Sequence, residues 1–318
     1  MNPREARIGV VGATGAVGTV TLRLLRDRDY RNVRTFASAR SAGRQLGDGL
    51  TVEEATPAAL SAVGLDLVLF SCGTSASREL VPHAVEGGAL VVDKSSAYRL
   101  ERGYPLVVPE VNGDRAVEAL ETTRVVANPN CSAIPLTCVL KPLHDAAGLK
   151  RVRLSTYQAV SGTGAQRMER LQAEAPAEHD LEFDWTWEGD ETEEEAKIRA
   201  ESRKILELPE LPISATTVRV PVLVGHSQSI WLETEEAMPP EQAETVLADA
   251  PGVRLVETPT PGAAARTEDV LVGRVRPDRA AEGNGLVLFL ACDNLVKGAA
   301  LNALQIAELL LEPARAAA

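Results

Sequence analysis

Ile8-Gly9-Val10-Val11-Gly12-Ala13-Thr14-Gly15-Ala16-Val17-Gly18 reads as a short apolar strand, a glycine-rich turn and the opening of a helix. A continuous apolar run of this kind suits a parallel strand covered on both faces. Glycines placed between such a strand and a helix let the backbone approach a pyrophosphate, which the unpaired N–H groups of the helix N-terminus attract. The spacing is G-x-x-G-x-x-G, not the commoner G-x-G-x-x-G, so the strand-then-helix context carries the reading. It predicts that Gly12, Thr14, Gly15, Ala16 and Val17 line a dinucleotide site. A tight turn with no ligand is the bland alternative.

Outward from this turn, short β-prone runs alternate with helical stretches: Val17 to Leu25, Val33 to Ala37, Leu65 to Phe70, Ala76 to Glu86, Leu90 to Val92 and Thr123 to Val126. That alternation predicts an α/β fold, a doubly wound Rossmann-type parallel sheet. From about residue 150 longer β segments take over, Lys150 to Val160, Ser214 to Val224 and Gln228 to Glu235, and predict an α+β domain on a largely antiparallel sheet. A helix is expected near Glu241 to Ala250, and a surface loop over Pro259 to Arg266. The last helix, roughly Gly298 to Leu311, is apolar apart from Asn302, Gln305, Glu308 and Glu312, so most of it is buried and docks back on the first domain. The first domain is therefore expected to be discontinuous, 1–130 plus about 297–318, with 131–296 as the second.

The 318 residues suffice for two such domains. A net charge of −12, from 45 acidic against 33 basic residues, with no Lys/Arg run, argues against nucleic acid and anionic membrane as partners. The first apolar run is too short for a signal-peptide core or a membrane span, and a cytoplasmic protein is expected. Cys72, Cys131, Cys138 and Cys292 form no CxxC pair and have no histidine at ligand spacing, so neither a disulfide framework nor a metal site is expected.

The end of the second strand decides the dinucleotide. An acid there would hold a ribose 2′-OH, an arginine a 2′-phosphate. Phe36 to Arg44 contains no acid but has Arg40 and Ser41, which favours NADP over NAD. Chemistry enters at Asn130-Cys131-Ser132, where an apolar strand gives way to a helix. A cysteine at a helix N-terminus ionises below its free value and becomes a nucleophile. Arg219 to His226 offers an imidazole as base and a guanidinium as anion clamp. Together these point to a dehydrogenase working through a thioester. Cys138, inside the same helix, reads as a small packing residue.

In order along the chain, Gly12 to Gly18, Asn130-Cys131-Ser132, Gln158 to Ala165, Arg219 to His226 and Asp293 to Ala300 resemble the aspartate-semialdehyde dehydrogenase family over nearly the whole length. The resemblance implies reversible NADP-dependent conversion of L-aspartate 4-semialdehyde and phosphate to 4-phospho-L-aspartate, run in the cell toward the semialdehyde, by a homodimer. It implies Cys131 as nucleophile, His226 as general acid/base with a pKa near neutrality, and Gln158 orienting the acyl-enzyme. Arg219 would grip the α-carboxylate and Glu194 the α-ammonium. Arg99 and Lys197 would bind phosphate, with Ser161, Gly162 and Asn294 on the nicotinamide side. Thr192 and Glu195 read as a capping box, which leaves Glu194 free, and most other carboxylates of Glu182 to Glu201 read as a solvated face.

Two departures stand out. Lys94 occupies a position where the family usually has asparagine, and the Ala165 to Thr192 stretch is short, with Phe183 to Trp187 replacing a longer segment of the subunit contact. The competing readings are an N-acetyl-γ-glutamyl-phosphate reductase, whose substrate lacks a free amine, and a non-catalytic nucleotide-binding paralogue.

Overall fold

The computed structural model describes residues 3–62, 64–281 and 283–312. Residues 313–318, included in the expected first domain, lie outside these. The chain forms two compact units, one running through Pro129 and resuming at Ala299, the other spanning Asn130–Gly298.

The first unit holds strands β1 (Ile8–Val11), β2 (Val33–Ala37), β3 (Val52–Glu54), β4 (Leu67–Phe70), β5 (Leu90–Asp93) and β6 (Val125–Ala127), all parallel, in the order β3-β2-β1-β4-β5-β6. Every residue of β1, β4 and β5 is buried, as the continuous apolar runs require of a sheet with helices on both faces. The three-residue β3 has no run of its own to announce it. Helices α1 (Ala16–Asp27), α2 (Pro57–Ser61), α3 (Thr74–Glu86), α4 (Pro109–Asn112) and α5 (Asp114–Glu118) connect the strands. The strand order reverses between β1 and β4, the point at which open α/β sheets bind ligands beyond the carboxyl ends of their strands.

The second unit is built on a six-stranded mixed sheet of β7 (Leu149–Gln158), β10 (Ile213–Arg219), β11 (His226–Thr234), β12 (Val253–Leu255), β13 (Val270–Pro277) and β14 (Gly285–Cys292), ordered β10-β7-β11-β14-β13-β12. The three central pairings are antiparallel and the two outer ones parallel. A short hairpin, β8 (Trp187–Glu188) and β9 (Glu191–Thr192), stands apart. Helices α6 (Ala133–Ala147), α7 (Ala165–Ala173), α8 (Glu193–Leu206) and α9 (Pro240–Ala248) accompany it, and the expected Pro259 to Arg266 loop contains a helical turn, α10 (Pro261–Ala264). Thr260 caps that turn through the Ala263 N–H, and Ala264 is buried, which is why the segment does not stay an open loop.

Register in this sheet positions the site. Along β7, Val152, Leu154, Thr156 and Gln158 share the buried face, the two-residue period of a half-buried strand. Arg219 pairs with Gln158 across β10 and β7, while Ser227 pairs with Tyr157 across β11 and β7, so His226 falls beside Gln158. Three polar side chains thus end up inward at one end of three adjacent strands, under α6 and α8. The closing helix, α11 (Leu301–Leu311), follows a π turn over Val296–Ala300 and packs in the first unit against α1, α4, α5 and β5. Of its polar residues Gln305, Glu308 and Glu312 are partly exposed, whereas Asn302 is fully buried, donating to Val107 O and to Asn128 Oδ1.

Candidate active site

Cys131 lies two residues ahead of α6, which begins at Ala133 with Ser132 at the N-cap. The loop that carries it is fixed on three sides. Asn130 Oδ1 accepts the Ser132 N–H at 2.7 Å, Glu201 Oε2 accepts the Asn130 N–H at 2.6 Å, and Gln228 Nε2 donates to Ser132 O at 2.7 Å. Gly298 packs so closely that an added Cβ would sit 3.3 Å from Cys131 Cβ. The thiol is half-buried and faces His226, with Sγ 3.3 Å from Nε2.

The imidazole differs from the expectation of a pKa near neutrality. It is fully buried, and burial together with the nearby Arg219 cation lowers it to about 3. The Ala159 N–H donates to Nδ1 at 3.0 Å, so the neutral ring carries its proton on Nε2, toward the sulfur.

Next to this pair stands a row of three side chains. Glu194 Oε1 accepts from Gln158 Nε2 at 3.0 Å, and Gln158 Oε1 accepts from Arg219 Nη1 at 3.3 Å. One amide therefore separates a carboxylate that is 6% exposed from a guanidinium that is 3% exposed. Asn130 Nδ2 also donates to Glu194, at 3.0 and 3.1 Å from its two oxygens. An added Cβ at Gly162 would meet Arg219 Nη1 at 3.1 Å and His226 Nε2 at 3.4 Å, so this glycine borders the same space.

Thr192 and Glu195 make the capping box, with the Thr192 N–H donating to Glu195 Oε2 at 2.8 Å and the Thr192 hydroxyl accepting the Glu195 N–H. Glu194, set apart from the solvated face, is buried, and that reading of α8 fails for Glu201, buried with Glu194, Ile198 and Ile205. These four recur at the helical period, the signal that would have exposed Glu201 as a site residue. Gln228 was equally legible, two residues after His226 and on the same strand face. Lys197 Nζ pairs with Glu193 at 2.9 Å. Asn294 fastens two loops, accepting the Gly225 N–H at 2.9 Å and donating to Ser161 Oγ at 2.9 Å.

In the first unit, Gly12 has φ 80° and a Cβ there would collide with Ser71 O, while one at Gly18 would strike Gly12 O. These two glycines permit the turn. Gly15, the N-cap of α1, has no capping side chain and is exposed, with Thr14, Ala16 and Val17 partly so. At the neighbouring strand, Ser71 Oγ is buried without a hydrogen-bond partner, and Gly73 opens α3 uncapped with free space around it. Two uncapped helix N-termini beside an orphaned hydroxyl fit a dinucleotide's phosphates. Arg40, exposed, and Ser41, partly buried, lie in a 3₁₀ turn just past β2. Lys94, just past β5, donates to Thr21 Oγ1 at 3.2 Å, and burial lowers its ammonium to about 7. Arg99 donates to Lys94 O at 2.6 Å and to Asn128 O at 3.0 Å.

Family comparison agrees on both units. Residues 7–119 match the semialdehyde dehydrogenase NAD binding domain, and residues 140–297 the semialdehyde dehydrogenase dimerisation domain, which defines the class. The aspartate-semialdehyde dehydrogenase of Corynebacterium glutamicum is 44% identical, covering 96% of this chain and 99% of its own. The crystal structure of aspartate semialdehyde dehydrogenase II from Vibrio cholerae complexed with ASA superposes with a TM-score of 0.90 at 34% identity, over 97% of this chain and 98% of that one. That of the Candida albicans enzyme with NADP gives 0.77 at 25% identity, over 98% and 99%. The chain belongs to the aspartate-semialdehyde dehydrogenase family. Among the described residues no helix is long and apolar enough to cross a membrane.

Proposed function

We propose that this protein catalyses the NADP-dependent, phosphate-linked interconversion of L-aspartate 4-semialdehyde and 4-phospho-L-aspartate through a thioester on Cys131, the reductive direction being biosynthetic, toward lysine, threonine and methionine. The observation that carries the reading is the row Glu194, Gln158, Arg219 beside the Cys131 and His226 pair. An α-amino acid presents an anion and a cation about one amide apart, and this row offers the complementary pair. An N-acetylated substrate would leave the buried Glu194 without a cation, an arrangement that costs binding energy.

The Cys131 thiol, its proton released to solvent, adds as a thiolate to the aldehyde carbon to give a tetrahedral oxyanion, and the Nε2–H of His226 donates to the sulfur and then to the oxyanion. A nicotinamide held beside Ser161, Gly162 and Asn294 would supply or accept the hydride. Phosphate displaces the resulting thioester and regenerates the thiolate, so no proton has to reside on His226. Gln158 keeps the acyl group turned toward the sulfur while Arg219 and Glu194 hold its α-substituents. Lys197 and Arg99 bind phosphate. Gly12, Thr14, Gly15, Ala16 and Val17 hold the pyrophosphate, Arg40 and Ser41 the 2′-phosphate, and Ser161, Gly162 and Asn294 shape the nicotinamide side. We infer a homodimer formed through the second unit. Four cysteines outside any disulfide suit the reducing cytoplasm.

The test is reduction of NADP by L-aspartate 4-semialdehyde with and without phosphate, with NAD and N-acetylglutamate semialdehyde in parallel. Turnover confined to the aspartyl substrate and lost without phosphate is expected. Preference for the N-acetylated substrate would transfer the reading to the glutamyl reductase, and folded, NADPH-binding protein silent in every arm would make it a non-catalytic paralogue.

A further inference from the structure

Arg219 already holds a carboxylate. Its Nε donates to Asp184 Oδ2 at 3.4 Å and its Nη2 to Asp184 Oδ1 at 3.2 Å. The other side of the fork is occupied as well, with Nη1 donating to Gln158 Oε1 at 3.3 Å and to Ala159 O at 3.2 Å. A guanidinium has five N–H groups, and only the Nε/Nη2 edge can take both oxygens of a carboxylate once Nη1 is committed. Asp184 therefore sits where an α-carboxylate would have to bind.

The segment that carries Asp184 is fastened to the same arginine. Glu182 and Arg219 exchange backbone hydrogen bonds at 3.0 and 2.9 Å, an isolated antiparallel bridge on the outer edge of β10. The Glu182 carboxylate pairs with Arg167 of α7. Trp185 lies over the guanidinium, with Arg219 Cζ 4.6 Å from its ring. Glu182 is thus tied down while the Asp184 side chain, 31% exposed, stays at the solvent edge and can swing aside.

We propose that Asp184 is a specificity-determining residue: it occupies the carboxylate edge of Arg219 until a ligand displaces it, and then remains beside that ligand as an anion. This rests on Arg219 being the α-carboxylate clamp of the proposed reaction. A displaced Asp184 repels a ligand whose charge is purely negative and is compensated by one that brings an ammonium next to its carboxylate. Asp184 and Glu194 then flank the ligand with two negative charges, and the pair selects α-amino acids against their deaminated or N-acylated counterparts.

Calorimetric titration of the NADP-loaded protein with L-aspartate and with succinate, two unreactive probes that differ by the amine, tests this in wild type, Asp184→Asn and Asp184→Glu. Succinate should bind about tenfold more tightly to Asp184→Asn, because the anion that repels a purely negative ligand from beside Arg219 is gone. L-Aspartate should gain much less, so the preference for it contracts, while Asp184→Glu keeps the wild-type preference. An equal change for both probes, no change, or weaker binding of both would overturn the proposal. Asparagine is isosteric with aspartate, and circular dichroism verifies the fold. Absent turnover with a contracted preference would sink the proposed reaction and leave Asp184 standing; normal turnover with an unchanged preference would do the reverse.

Discussion

The Ala159 N–H donates to His226 Nδ1 and thereby fixes which nitrogen faces Cys131. A ring nitrogen that accepts a backbone N–H carries no proton of its own, so Nε2 bears the single hydrogen of the neutral imidazole. Protonating the ring would set two N–H groups against each other in a buried site. Nitrogen NMR of histidine-labelled protein should show His226 as the neutral Nε2–H tautomer, without titration, from about pH 5 to 8. An imidazolium signal in that range would restore the thiolate–imidazolium pair and a proton-shuttling histidine.

Acid sensitivity follows from the same ring. Its folded pKa, about 3, is below the unfolded value of about 6.5. Between those two values the unfolded chain binds more protons, so stability is fully present above about pH 6.5 and falls as the pH drops toward 3. The full difference is about 5 kcal/mol. Melting temperatures of wild type and His226→Gln across that window should converge as the pH falls. Parallel curves would mean that the ring titrates as it does in solvent.

Glu201 should matter more to the cysteine than its distance in sequence suggests. Glu201→Ala leaves the buried Asn130 N–H without its carboxylate, at a cost of about 1 to 3 kcal/mol. Loosening that loop should also slow alkylation of Cys131 relative to Cys72. Glu201→Gln, which keeps an acceptor oxygen, should recover most of both. Indistinguishable alanine and glutamine variants would show that the contact does not hold the loop.

Lys94 gives a pH effect at the alkaline end. Its folded pKa, about 7, is well below the unfolded value near 10.4, so the partly buried amine is destabilising below about pH 10, and stability rises as the pH increases between 7 and 10. Lys94→Met should be more stable than wild type at pH 7, with the gap closing toward pH 10. A gap independent of pH would place the ammonium in water.

How much of this was legible in the sequence depended on how each residue meets the backbone. The parallel sheet was readable because its strands are continuous apolar runs, and the Cys131 and Arg219 to His226 segments because reactive residue types sit at element ends. Gln158 was readable only by resemblance, since nothing in β7 itself separates a glutamine on the inward register from an ordinary strand residue. Glu201 was missed because it lies in an acidic run, where composition speaks louder than helical period. Asp184 was out of reach, because its pairing with Arg219 depends on a 35-residue excursion returning to the edge of β10. The pKa of His226 was misjudged for a related reason: its surroundings, Cys131, Ala159 and Gly162, come from segments far away in sequence, and no local pattern encodes that burial.

Gly162 offers a test of how rigid the site is. Its φ is one any residue adopts, so Gly162→Ala introduces a methyl group without backbone strain. That methyl would stand 3.1 Å from Arg219 Nη1 and 3.4 Å from His226 Nε2. Neither neighbour yields easily: the guanidinium is held by Gln158, Ala159 and Asp184, and the ring by Ala159. The methyl group therefore presses on Arg219 Nη1 and intrudes beside the imidazole on the space in which the reacting carbonyl must lie. KM for the semialdehyde should rise about tenfold, with kcat reduced by a similar or smaller factor, since a misplacement of a few tenths of an ångström in a preorganised site is costly. Thermal stability should change little, because the methyl group points into the site and not into the core. Steady-state kinetics and a melting curve on the same preparation decide it, and wild-type KM in a folded variant would mean that Arg219 and His226 move freely enough to make room.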